Sequence, residues 1–258
     1  MFELSANLEY MFNEAGEDIS AKIAAAAACG IHKVEIFSTE GRDIDAIKKA
    51  LKTHNSTLWS VVADPRIQIV LPPEHEKFRT AVETAAIAAQ QLDCPHVVIG
   101  SGVGAPFLKR QPSLDNAADA IESAIPIAEQ YGVTLLLEAV NTRVDHPGVF
   151  FSSNRDTAYI AKKINHPRVK VLFDIYHCIA EEENIFDIAE LLFSNDLVGH
   201  VQVADVPGRG EPGSGDQQWS ALLNMLTDHH YQGAIGVECY PTKETPSALT
   251  YIQSITGG

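Results

Sequence analysis

The feature that most constrains this chain is a strict alternation of two patterns. Eight short apolar runs, at residues 2–8, 33–37, 57–63, 96–101, 133–138, 170–174, 199–204 and 234–238, are each followed by an amphipathic or alanine-rich stretch. Short, mostly apolar runs read as strands buried on both faces. The intervening stretches, at 19–29, 43–53, 74–92, 114–131, 154–164, 179–193, 216–229 and 244–255, have helical length and periodicity. A helix after every strand returns the chain to the same end of the sheet, so the strands must run parallel. Eight such units in 258 residues amount to about 32 residues each. This predicts one α/β domain over 1–258, a closed (β/α)8 barrel, since no Ser-, Gly- or Pro-rich linker divides the chain into halves. The element ends are also legible. Ser113 reads as the N-cap of the fourth helix, and Gly30, Gly132 and Gly233 as left-handed residues closing the first, fourth and seventh helices.

Charge excludes whole classes of partner. The chain carries 19 Lys plus Arg against 34 Asp plus Glu, a formal charge of −15, with no basic run. Nucleic-acid binding requires clustered cations to neutralise phosphate, and anionic membranes require the same. The expected partner is therefore a small molecule, with neither nucleic acid nor membrane. No apolar stretch approaches the roughly 18 residues of a membrane span. The first residues carry acids where a secretory leader needs a basic, then apolar, segment. Cys29, Cys94, Cys178 and Cys239 are scattered without a CxxC pair. Together these features lead to the expectation of a cytoplasmic protein with reduced thiols.

The last four strands share one signature. Each is an apolar run ending in a polar side chain: TLLLE at Glu138, KVLFD at Asp174, HVQ at Gln202 and AIGVE at Glu238. They lie about one βα unit apart, so they are equivalent positions on neighbouring strands. In a barrel these C-terminal strand ends face one another around the mouth, where active sites of this fold lie. Three carboxylates and an amide converging there need a counter-charge. A divalent cation supplies it, and all-oxygen ligation suits Mg²⁺ or Mn²⁺ better than Zn²⁺. Parity places Gly236 and Ala234 beneath Glu238, leaving room below the site. His177, in FDIYH, and Arg209, in the glycine-rich loop after Gln202, fall at the same mouth. The GRGEPG of that loop matches a dinucleotide fingerprint only formally. It comes late in the chain, contains Pro212 and opens no helix. Presentation of Arg209 to an anion is the better reading.

The segments ANLEYMF at 6–12, LEAVNTR at 137–143, FDIYH at 173–177, GHVQVADVPGRGEPGSG at 199–215 and GVECY at 236–240 resemble the hydroxypyruvate isomerase family. That family is a group of xylose isomerase-like TIM barrels near the 2-oxo-tetronate isomerases and ketose 3-epimerases. The resemblance implies that Glu138, Asp174, Gln202 and Glu238 hold one divalent metal, that Glu138 and Glu238 exchange protons, and that His177 and Arg209 contact substrate oxygens. It also implies an aldose–ketose type isomerisation through an enediolate, such as hydroxypyruvate to tartronate semialdehyde or the conversion of a 2-oxo-tetronate. Gln202 points to the hydroxypyruvate side of the group, because ketose epimerases tend to have a His there. The chain departs from the family at Ala139, where Pro is usual. The alternatives are a ketose 3-epimerase and, from another class, a non-catalytic metabolite-binding barrel. A homo-oligomer is compatible with the resemblance.

Overall fold

The structure is a computed structural model that describes residues 2–257. Its strands are β1 (Leu4–Asn7), β2 (Lys33–Glu35), β3 (Thr57–Val62), β4 (His96–Ile99), β5 (Thr134–Glu138), β6 (Val169–Asp174), β7 (Val198–Val203) and β8 (Ile235–Val237). They pair in sequence order, and β8 closes on β1. Every pairing is parallel, as the βα alternation requires.

The helices are α1 (Ile19–Ala28), α2 (Ile44–Thr53), α3 (His75–Gln91), α4 (Arg110–Ser123), α5 (Ile125–Tyr131), α6 (Asn154–Ile164), α7 (Ile175–Ala180), α8 (Ile185–Phe193), α9 (Trp219–Asp228) and α10 (Thr245–Thr256). The apolar runs serve two surfaces. Outward residues such as Val97, Leu135, Leu137, Val171, Phe173 and Val201 join the helices in one large core, while Val98, Leu136 and Leu172 form a separate apolar plug inside the barrel. The interior is apolar on the side of β4–β6. Toward β1, β2, β7 and β8 it is polar, with buried Ser5, Asn7, Glu35, His200, Gln202 and Glu238.

Several element ends differ from the sequence reading. The fourth helical stretch begins earlier, at Arg110, so Ser113 lies inside α4 and its hydroxyl donates to the Lys109 carbonyl instead of capping a terminus. The same stretch breaks between α4 and α5, where Pro126 occupies the first turn of α5, because proline cannot donate to a preceding turn. The stretch 179–193 likewise divides into α7 and α8, with Glu182 between them at φ 64°. Gly30 and Gly132 take the expected left-handed conformation, at φ 78° and 74°. Gly233 does not. His230 makes the left-handed turn after α9, at φ 57°. Gly233 instead admits the Tyr231 hydroxyl, which would lie 2.3 Å from a Cβ there. Among the described residues, no helix is long and apolar enough to cross a membrane, and all four cysteines are free thiols.

Candidate active site

The strand-end residues converge as parity requires. One cavity at the mouth is lined by Glu138, Gln202, Glu238, His177 and Arg209, together with Asn7, Tyr10, Arg66 and His146. Asp174 sits beside Gln202 in the β6–β7 register and turns its carboxylate along the start of α7, where Oδ1 accepts from the His177 backbone N–H at 3.1 Å. Glu138, Asp174 and His177 each offer a ligand atom within a 4.8 Å cluster. His177 Nε2 lies 3.9 Å from Glu138 Oε1 and 3.8 Å from Asp174 Oδ2.

Glu238 and Arg209 form a different pairing. The Arg209 guanidinium donates to Glu238 Oε1, and both side chains are buried. Glu238 Oε2 accepts from Asn7 Nδ2 and from Gln202 Nε2, each at 2.9 Å. Arg209 is enclosed by the rings of Tyr176, Tyr10 and Tyr240, at 5.0, 5.2 and 6.0 Å from their centroids. Its backbone holds φ 56°, a left-handed conformation that costs a non-glycine residue about 1–2 kcal/mol. The loop is fixed in that shape by Asp205. This buried carboxylate accepts from the Val206 and Gly213 backbone N–H groups and from the Trp219 indole at 2.9, 2.7 and 2.9 Å. The Arg209 carbonyl in turn accepts from the Tyr240 N–H at 2.7 Å. Arg209, expected from the sequence to meet a substrate anion, is paired in the structure with Glu238.

Electrostatics follow from burial without enough positive charge. Burial, and then Asp174, push the Glu138 carboxyl up to about 7. Burial also raises Asp174. It raises Glu238 well above the usual carboxylate range, with Glu138 and Asp174 adding to the rise and Arg209 opposing it. His177 falls well below the ordinary imidazole value, through burial and the nearby cations Arg209 and Arg66. Such opposed shifts in one cleft are characteristic of functional sites. The donor set also passes a test for a hard cation: Gln202 Oε1 is buried with no hydrogen-bond partner among the described residues. A buried acceptor left without a donor needs a cation or a water.

Several lining residues, Asn7, Tyr10, Arg66 and His146, are not among the residues expected from the sequence. Asn7 ends β1 in the same way that the four chosen residues end their strands, so the same rule reaches it. Arg66, Tyr10 and His146 lie in loops, where no spacing rule reaches.

Residues 23–255 match the family described as xylose isomerase-like TIM barrel. The chain belongs to that family. It is 26% identical to the hydroxypyruvate isomerase of Escherichia coli, over 98% of each chain. It is 29% identical to the 2-oxo-tetronate isomerase of Cupriavidus necator, over 100% of each. A solved structure from Brucella melitensis, described as an AP endonuclease of family 2, superposes with TM-score 0.89 at 29% identity, covering 98% of this chain and 99% of that one. With this membership and these relatives, the chain is an enzyme of the isomerase class.

Proposed function

We propose that this enzyme isomerises a small 2-oxo hydroxyacid, as in hydroxypyruvate to tartronate semialdehyde, with a divalent metal. The observation that carries the metal is Gln202 Oε1, without a partner among the described residues, beside the buried carboxylates Asp174 and Glu238 and the half-buried Glu138. These four residues would hold Mg²⁺ or Mn²⁺, whose charge, when bound, offsets the carboxylates and polarises the substrate carbonyl.

The remaining chemistry belongs to the side chains. One of Glu138 and Glu238 removes the proton from the hydroxyl-bearing carbon next to the carbonyl, giving an enediolate. The other assists return of a proton to the former carbonyl carbon, while the hydroxyl proton passes to the former carbonyl oxygen. Positioned acid–base groups of this kind typically contribute about 10²–10⁴-fold. His177 Nδ1 accepts from the Asn141 backbone N–H at 3.2 Å, which leaves Nε2–H to donate into the cavity toward a substrate oxygen. Arg209 orients Glu238. Arg66 is exposed on the same cavity and takes the substrate carboxylate, which favours an acid over a free ketose. An endonuclease reading, raised by the description of the Brucella structure, is opposed by the charge of −15.

The test is turnover of hydroxypyruvate, a 2-oxo-tetronate and free ketoses in solvent D₂O, with Mn²⁺ and after chelation. Metal-dependent turnover of the acids with deuterium at carbon is expected. Turnover of ketoses alone would replace this reading with a 3-epimerase, and turnover unaffected by chelation would remove the metal.

A further inference from the structure

Beneath Gln202 lies a buried carboxylate with no place in the chemistry above. Glu35, on β2, is fully enclosed by the barrel. Its Oε1 accepts from the Ser5 hydroxyl at 2.6 Å and from His200 Nε2 at 3.0 Å. Its Oε2 accepts from the Ser60 hydroxyl at 2.8 Å and from Gln202 Nε2 at 2.8 Å. The Trp59 indole N–H, which only donates, points at His200 Nδ1 at 3.2 Å, so that nitrogen accepts and Nε2 is the donor toward Glu35. Four donors therefore converge on one carboxylate. Burial alone would raise this group, but His200 and the serine hydroxyls more than offset it and bring it down to about 2. Gly236 on β8 makes the room, since a Cβ there would lie 2.3 Å from Glu35 Oε1.

We infer that Glu35 is a positioning residue that fixes the rotation of the Gln202 amide, so that Oε1 faces the cation site. The inference rests on the metal reading above. Gln202 Nε2 lies between Glu35 Oε2 and Glu238 Oε2, at 2.8 and 2.9 Å. Rotating the amide by half a turn would set Oε1 against two carboxylate oxygens and aim the NH₂ at the cation. Both changes are repulsive, and two charge-assisted hydrogen bonds are lost. An amide ligates hard cations only through oxygen, so a carboxylate behind its nitrogen holds the ligating rotation. Glu35 supplies that anion from across the barrel.

The experiment measures Mn²⁺ affinity of the full chain by electron paramagnetic resonance, with folding checked by circular dichroism. Loss of such a supporting partner typically weakens metal binding about 10–100-fold. Glu35→Gln, whose own amide can present NH₂ to Gln202, is expected to fall in that range. Glu35→Asp keeps the charge but withdraws it, and should also weaken binding. In the Gln202→Ala background, Glu35→Gln should change affinity less than about threefold, because no amide remains to orient. The inference is overturned if Glu35→Gln binds Mn²⁺ like the parent chain, or if its effect persists undiminished without Gln202. Where Glu35→Gln unfolds the chain, Ser60→Ala, which frees one donor from Oε2, decides instead: severalfold weakening supports the inference and unchanged affinity overturns it. Failure of the parent chain to bind Mn²⁺ refutes the metal reading itself, whereas tight binding by parent and Glu35 variants alike refutes only this inference.

Discussion

Replacing Gly236 with alanine tests the packing of the polar half of the barrel. The added methyl would lie 2.3 Å from Glu35 Oε1 and 2.9 Å from both His200 Nε2 and Gln202 Cγ. Ordinary contact requires the carboxylate to retreat by about 1 Å. That oxygen is held by Ser5 at 2.6 Å and His200 at 3.0 Å, and both bonds stretch beyond useful length on such a move. A hydrogen bond to a charged group contributes about 1.5–3 kcal/mol, and overpacking a closed interior costs about 1–3 kcal/mol. These effects overlap, which leaves a destabilisation of about 4 kcal/mol. For a chain of this size the melting temperature should fall by roughly 8–16 °C. Differential scanning calorimetry of metal-free protein measures it directly. Glu35→Asp in the same chain shortens the clashing carboxylate, so the double variant should be more stable than the two single effects predict, by about 1 kcal/mol or more. A fall below 3 °C, or strict additivity with Glu35→Asp, would refute the argument that Gly236 exists to admit the Glu35 network.

Three further outcomes follow from the site. Glu138→Gln should keep the fold and lower kcat by at least about 10²-fold; activity near that of the parent chain removes Glu138 from proton transfer. With the Glu138 carboxyl raised from 4.5 to about 7, the metal-free folded state holds its proton more tightly than the unfolded state. Its stabilising contribution is present below about 4.5 and is lost as pH rises to about 7, so Tm should decline across that window more steeply than in Glu138→Gln, and Mn²⁺ affinity should rise over the same interval; parallel pH profiles for parent and variant would contradict this. Arg66→Ala should raise KM for hydroxypyruvate about 10-fold or more, with little change for a neutral ketose; equal KM values would leave the substrate carboxylate to another group.

Much of the site was legible because a parallel barrel converts sequence position into spatial position. A polar residue that ends an apolar strand must lie at the mouth, and Glu138, Gln202 and Glu238 do line one cavity there. Pro126 and Glu182 break stretches that read as continuous helices, because local chain stiffness and a left-handed residue interrupt a periodicity that tolerates them. Ser113 reads as a cap because serine at the edge of an apolar period resembles one, yet α4 begins about one turn before it, at Arg110.

The sequence by itself determined the topology, the end of the barrel at which the polar strand ends gather, and the acids that converge there. These are consequences of period and parity, which each strand expresses alone. Tertiary structure decided the pairings. Arg209 binds Glu238 because the loop anchored by Asp205 folds it back under three tyrosines. Glu35 meets Gln202 across the barrel, 167 residues away in sequence. Arg66 enters the cavity from an irregular loop. Contacts of that kind depend on barrel closure and loop trajectory, and no local pattern in the chain encodes either.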